Sequence, residues 1–137
     1  MKQKLMIPGK LPGMNEIIDS SKNCVYNAGK RKFYQYSKDK KHFQSKIADL
    51  AFAQGLKPMQ RVRVTVTFCE RRIARDPDNI QAGIKFILDG LVQARVLPDD
   101  NFAVVRKIIY EFKTNADQDE IKVELETQGA QQQRLFK

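Results

Sequence analysis

Apolar and polar positions alternate most cleanly at Val62, Val64, Val66 and Phe68, with Arg63, Thr65 and Thr67 between them. That is the period of a strand with one buried face. Residues 2–7 read as a shorter strand, closed by turns at Pro8-Gly9 and Pro12-Gly13. Between the two, Ser37 is placed to cap a helix in which Phe43, Ile47, Leu50 and Ala51 recur at helical spacing until Gly55. A second helix is expected over residues 78–94, with Ile80, Ile84, Ile87, Leu88 and Leu91 on its core side. Strand signals return at 104–112 and 120–126, joined by the turn-like Thr114-Asn115-Ala116-Asp117, which predicts a hairpin. Residues 14–36 hold neither period and read as a long, irregular and mobile segment, of the kind that usually serves function. The predicted order is β-α-β-α-β-β: an α+β fold with a small mixed or mostly antiparallel sheet and two main helices. Residues 1–129 form one expected domain, and the Gln-rich residues 130–137 a flexible tail.

Composition narrows the chemistry. Two cysteines, Cys24 and Cys69, and one histidine, His42, are too few for a Cys/His zinc site or a Cys/His catalytic pair, and Cys69 reads as a buried reduced thiol in a strand. Carboxylates, lysines or hydroxyls must then carry any reaction. The chain opens with no apolar run suited to a signal peptide and contains none of the roughly 20 residues that cross a bilayer. A soluble, cytoplasmic protein with no membrane partner and no organic cofactor is expected. The net charge of +9 is uneven: residues 1–63 hold 14 Lys and Arg against 4 Asp and Glu, whereas residues 64–137 hold 11 against 12. The first half is suited to a polyanion, with nucleic acid the commonest.

The acids cluster in Arg75-Asp76-Pro77-Asp78-Asn79. Pro77 biases Asp76 toward extended backbone, in which side chains two apart point the same way, so Asp76 and Asp78 can reach one cation. The same four residues also make an ordinary turn, with Asp78 at or near a helix N-cap. Along the helix, at roughly 100° per residue, Ala82, Lys85 and Asp89 fall within about 40° of Asp78. They line up behind the acidic pair, or form an ordinary i,i+4 ion pair on a solvated face. Asp99 and Asp100 follow Leu97-Pro98 in the turn at the far end of this helix, and a helix over 78–94 at about 1.5 Å per residue puts that end about 25 Å from Asp78. Either the helix ends early and the chain folds back, or the sheet brings Asp100 round.

The string Arg75-Asp76-Pro77-Asp78-Asn79, Lys85 with Asp89 four on, Gly90-Leu91 and Leu97-Pro98-Asp99-Asp100, with the opening strand, Pro8-Gly9 and the Asn15 region, resembles the RusA family of Holliday-junction resolvases over most of residues 2–127. That resemblance implies a homodimeric, magnesium-dependent endonuclease that nicks four-way DNA junctions symmetrically in recombination and repair. It implies Asp76, Asp78 and Asp100 as the essential carboxylates and metal ligands, Lys85 as the essential lysine, and a phage or prophage origin in a bacterial host. Asp89 and Asp99 are expected as neighbours of that site. Mg²⁺, with Mn²⁺ as a substitute, suits oxygen-only carboxylate ligands.

Arg71, Arg72 and Arg75 are placed either to hold the DNA backbone beside the metal or to offset the nearby acids. Lys30, Arg31 and Lys32, interleaved with Tyr26, Phe33, Tyr34 and Tyr36, suit phosphate contact with base stacking, or form a solvated loop whose rings enter the core. Two alternatives accompany the resolvase reading. One is a metal nuclease of broader branched-DNA specificity; the other is a non-catalytic nucleic-acid-binding module whose acids are caps and turns.

Overall fold

The alternating stretch becomes β4 (Val62–Glu70), the best-connected strand of a four-stranded sheet. The computed structural model describes residues 1–22, 24–26, 32–114 and 116–129, with residues 20–36 described by backbone alone. β1 (Lys2–Pro8) lies at one edge, then β6 (Glu120–Thr127), β4 and finally β5 (Val105–Thr114). β6 runs antiparallel to both of its neighbours, and β5 runs parallel to β4. The sheet is mixed, and the fold α+β.

One row of register, Leu5–Val123–Val66–Tyr110, crosses all four strands on the covered face. The adjacent row, Lys4–Glu124–Thr65–Ile109, lies on the opposite, open face. Val62, Val64, Val66 and Phe68 pack with Leu5, Ile7, Ile121, Val123 and Leu125 beneath Ile47, Ala51, Phe86, Ile87 and Leu91. Each large apolar side chain buried there contributes about 1.5–3 kcal/mol.

Two helices supply the cover, α2 (Gln35–Ala53) and α4 (Ile84–Gln93). They approach closely at Gly90, where an added Cβ would lie 2.6 Å from Ile47 Cγ2 and 3.0 Å from the Gln44 carbonyl oxygen. Gly90→Ala is therefore expected to push the helices apart and cost about 1–3 kcal/mol. Urea unfolding measures this, and a variant as stable as the parent contradicts the close approach.

Three sequence expectations need correction. Residues 14–36 include regular structure: α1 (Met14–Lys22) and a hairpin of β2 (Cys24–Tyr26) with β3 (Lys32–Tyr34). The expected second helix is divided into α3 (Pro77–Ile80), a 3₁₀ turn over Gln81–Gly83, and α4. A 3₁₀ turn advances by about 120° per residue rather than 100°, so three residues rotate the later face by roughly 60°. Ala82, Gly83 and Phe86 are consequently buried, while Ile84 and Leu88 are only partly covered. Finally, β5 and β6 make no hairpin, because β4 lies between them. Their connection passes the end of β4 instead, where Asp119 Oδ1 accepts from the Arg71 N–H at 2.8 Å and Ala116 N–H reaches the Glu70 carbonyl at 3.4 Å. The predicted tail, 130–137, lies outside the described residues. Among the described residues no helix is long and apolar enough to cross a membrane.

Candidate active site

The core-facing positions of β4 end on a carboxylate. Glu70 continues the series Val62, Val64, Val66 and Phe68, and is itself only 5% exposed. Its partner is Arg75, whose guanidinium pairs with Glu70 through two nitrogens, Nη2 to Oε2 and Nε to Oε1 (3.2 Å). Nη1 of Arg75 also donates to the Leu11 carbonyl at 3.0 Å and contacts Glu16 Oε1 at 3.4 Å. Burial pulls the Arg75 pKa down, but its hydrogen bonds and charge pairing with Glu70, then Glu16, outweigh this and raise it. Of the two expectations for Arg75, the structure shows the second: it pairs with nearby acids and ties down the chain.

Removing one member of a buried pair strands the other, at a cost of about 3–5 kcal/mol. Glu70→Ala is expected to lose that much stability in chemical denaturation. A loss below about 1 kcal/mol would show that Arg75 needs no partner there.

Directly after this clamp, Asp76 is extended (φ −78°, ψ 152°) and occupies the N-cap position of α3, with Pro77 as the first helical residue. Its carbonyl accepts from the N–H groups of Asn79 and Ile80, both at 3.0 Å, but its carboxylate makes no capping bond. Asp78 stands inside the first turn, one Oδ1 accepting from the Asn79 N–H at 3.0 Å. Both side chains are exposed. Asn79 faces the other way: its Oδ1 accepts from the Asn15 N–H at 2.9 Å, linking the turn to α1. Gly13 makes room for it, since a Cβ there would stand 2.6 Å from Asn79 Oδ1 and 2.9 Å from Asn79 O. The Asp76-Pro77-Asp78 segment is thus held from behind by Arg75 and Asn79 while its carboxylates face solvent.

Lys85, the second residue of α4, is exposed. It does not pair with Asp89. That carboxylate turns to Lys40 on α2 at 3.6 Å, and its Oδ2 is buried with no hydrogen bond, so Asp89 belongs to the contact between helices rather than beside the acidic pair.

Asp99 and Asp100 lie at the other end of the sheet. β4 and β5 are parallel from the Val62–Val105 pair to the Glu70–Thr114 pair. Asp76 follows the far end of β4, whereas Asp100 precedes the start of β5. The length of β4 separates them, roughly 26 Å at about 3.3 Å per residue. Neither early termination of the helix nor the sheet brings Asp100 round, because the crossover to a parallel strand must return to the starting edge. Asp99 uses both carboxylate oxygens locally, Oδ1 accepting from the Asp100 N–H at 2.7 Å and Oδ2 from Asn101 Nδ2 at 2.9 Å. It is a turn residue; Asp100 is exposed beside it. Among the described residues, no three His, Cys, Asp or Glu side chains are grouped as one metal site. The expectation that Asp76, Asp78 and Asp100 gather around one ion is not met within one chain.

Arg71 and Arg72 are exposed beside the acidic turn. Lys30 and Arg31 lie outside the described residues, and Lys32 is described only by its backbone in β3. Glu70, Gly13 and the Asn15–Asn79 link are the positioning groups that sequence reasoning missed. For Glu70 a signal existed: it is the fifth member of an alternating series whose first four members are apolar.

In comparisons with known proteins, no protein-family model matches the chain and no curated protein matches its sequence.

Proposed function

We propose that the chain is a Mg²⁺-dependent endonuclease of the RusA type, which resolves four-way DNA junctions by paired symmetric nicks. The observation that carries this reading is the exposed pair Asp76 and Asp78, held at the end of β4 by a buried clamp, with the Asp76 carboxylate unused as a helix cap. A module whose acids were only caps and turns would be expected to use that carboxylate locally, as Asp99 does.

The donor set fits the ion: oxygen ligands on short side chains, open to solvent, suit Mg²⁺ or Mn²⁺. Bound Mg²⁺ supplies Lewis acidity at the scissile phosphate and lowers the pKa of an attacking water. Asp76 and Asp78 hold it from one turn. Asp100 joins them only from a second copy, because its own chain carries it to the opposite end of the sheet. The ligand set is then Asp76 and Asp78 with Asp100 of the partner subunit, repeated twice in a two-fold homodimer. Two matched sites answer the near two-fold symmetry of a junction. Lys85, exposed just after the acidic turn, neutralises charge developing on the phosphate. Arg71 and Arg72 hold the neighbouring backbone, and the lysine-rich first half adds general attraction. The enzyme would act on branched DNA in the cytoplasm of a bacterial host, as a phage or prophage product.

Cleavage of a mobile four-way junction, a flap and plain duplex at equal salt tests the proposal. Mg²⁺-dependent paired nicks in the junction are expected. Equal cutting of the flap would favour the broader branched-DNA nuclease, and no Mg²⁺-dependent nicking of any substrate would remove the enzyme reading.

A further inference from the structure

Phe102 is 93% exposed, the most exposed of the large hydrophobic side chains among the described residues. It does not sit on a loose loop. Asp99 bonds to the Asp100 N–H and to Asn101 Nδ2, Asn101 Oδ1 accepts from the Ala103 N–H at 2.9 Å, and the Asn101 carbonyl accepts from Val104 and Val105 at 3.1 and 2.9 Å. Val104 is buried and anchors the turn to β4 through its carbonyl, which accepts from the Val62 N–H at 2.8 Å. Six hydrogen bonds thus pin a short turn whose outermost side chain is a phenyl ring in water. Leaving such a ring exposed forgoes the stabilisation that its burial would bring. Phe52, nearly as exposed at 88%, has no comparable turn and lies near the end of a regular helix.

The surroundings favour nucleic acid as the missing cover. Arg106 places Nη1 3.5 Å from the Phe102 carbonyl, and Arg61, just before β4, and Arg95, just after α4, lie at the same end of the sheet. Between the turn and β4 a shallow recess is lined by Gln60, Arg61, Pro98, Ala103, Val104 and Thr127. An aromatic platform, guanidinium groups and amide donors beside a recess form the combination that stacks one base and holds its phosphate. The rigid turn means that little conformational freedom is lost on stacking.

We propose that Phe102 stacks on an unpaired base at the branch point of the DNA, with Arg106 on the adjoining phosphate. This rests on the resolvase reading and deepens it: Asp100, two residues away, belongs to the proposed ligand set, so the contact sets the branch point against the chemistry. Regular duplex offers no unstacked base, and Phe102 therefore selects branched over linear DNA.

The test uses the full chain in EDTA, where binding is read without nicking, on a four-way junction with 2-aminopurine at the branch point and on duplex of equal length. Wild type is expected to quench the probe. Phe102→Ala should lose the quenching and bind the junction about tenfold more weakly, with duplex affinity unchanged, and Phe102→Trp should restore both. Because the ring is exposed, Phe102→Ala should fold normally, which circular dichroism checks. Three results would overturn the proposal: unchanged junction affinity, equal losses on junction and duplex, or a wild-type dimer that Phe102→Ala dissociates in sedimentation, which would make the ring a contact between copies. Nicking is scored separately in Mg²⁺. Wild-type nicking with no effect of Phe102→Ala on binding defeats the stacking contact alone. Branch-selective binding through Phe102 with no nicking defeats the nuclease reading alone.

Discussion

On the proposed reading, Asp76→Asn is expected to abolish Mg²⁺-dependent nicking, a fall of about a hundredfold or more, while the protein stays folded and keeps its affinity for junction DNA. The side chain is exposed and makes no capping bond, so the substitution removes charge without removing a structural contact. Its unfolding midpoint should match that of the parent, in contrast to Glu70→Ala, which attacks the clamp behind the same turn. Junction affinity measured in EDTA should hold or rise slightly, since a negative charge beside phosphate is lost. The pairing of lost cleavage with retained binding is the diagnostic result. A variant that cuts normally would show that Asp76 holds no metal, and one that neither cuts nor folds would place Asp76 in the scaffold.

The strands were legible because alternation is local: Val62 to Phe68 specify a half-buried strand whatever lies beside them. Pairing was less legible. The turn-like 114–117 linker suggested a hairpin, yet β4 occupies the place between β5 and β6, and only the whole sheet determines that choice. The 14–36 segment was misread because α1 carries few apolar residues and the strands that follow it are three residues each, too short to show a period. The acidic pair was visible, since Pro77 constrains its neighbours locally. Its support was not, because Glu70, Asn15 and Gly13 meet Arg75 and Asn79 only through tertiary packing. For Asp100 the helical distance was a correct warning: because β4 and β5 pair in parallel, the helical stretch from Pro77 to Gln93 spans from one end of the sheet to the other.

That separation yields the most discriminating experiment, mixing two inactive variants. Asp76→Asn and Asp100→Asn homodimers should each be inactive, because every site contains one damaged ligand. When subunits exchange, half of the dimers at equal proportions carry one chain of each kind. In such a heterodimer one site combines both substitutions, and the other combines an intact Asp76 with an intact Asp100 of the partner subunit. Mixing should therefore restore about a quarter of wild-type sites. Each heterodimer has a single competent site, so the recovered product should be junctions nicked in one strand, with paired nicks rare. A site built within one chain predicts the reverse: every site in the mixture keeps one damaged ligand and no activity returns. Titrating the proportion of the two chains sharpens the distinction, since restored nicking should be greatest at equal amounts and fall away on either side. Failure to restore activity, with subunit exchange verified by a tag on one variant, would exclude the shared site and require another carboxylate to join Asp76 and Asp78.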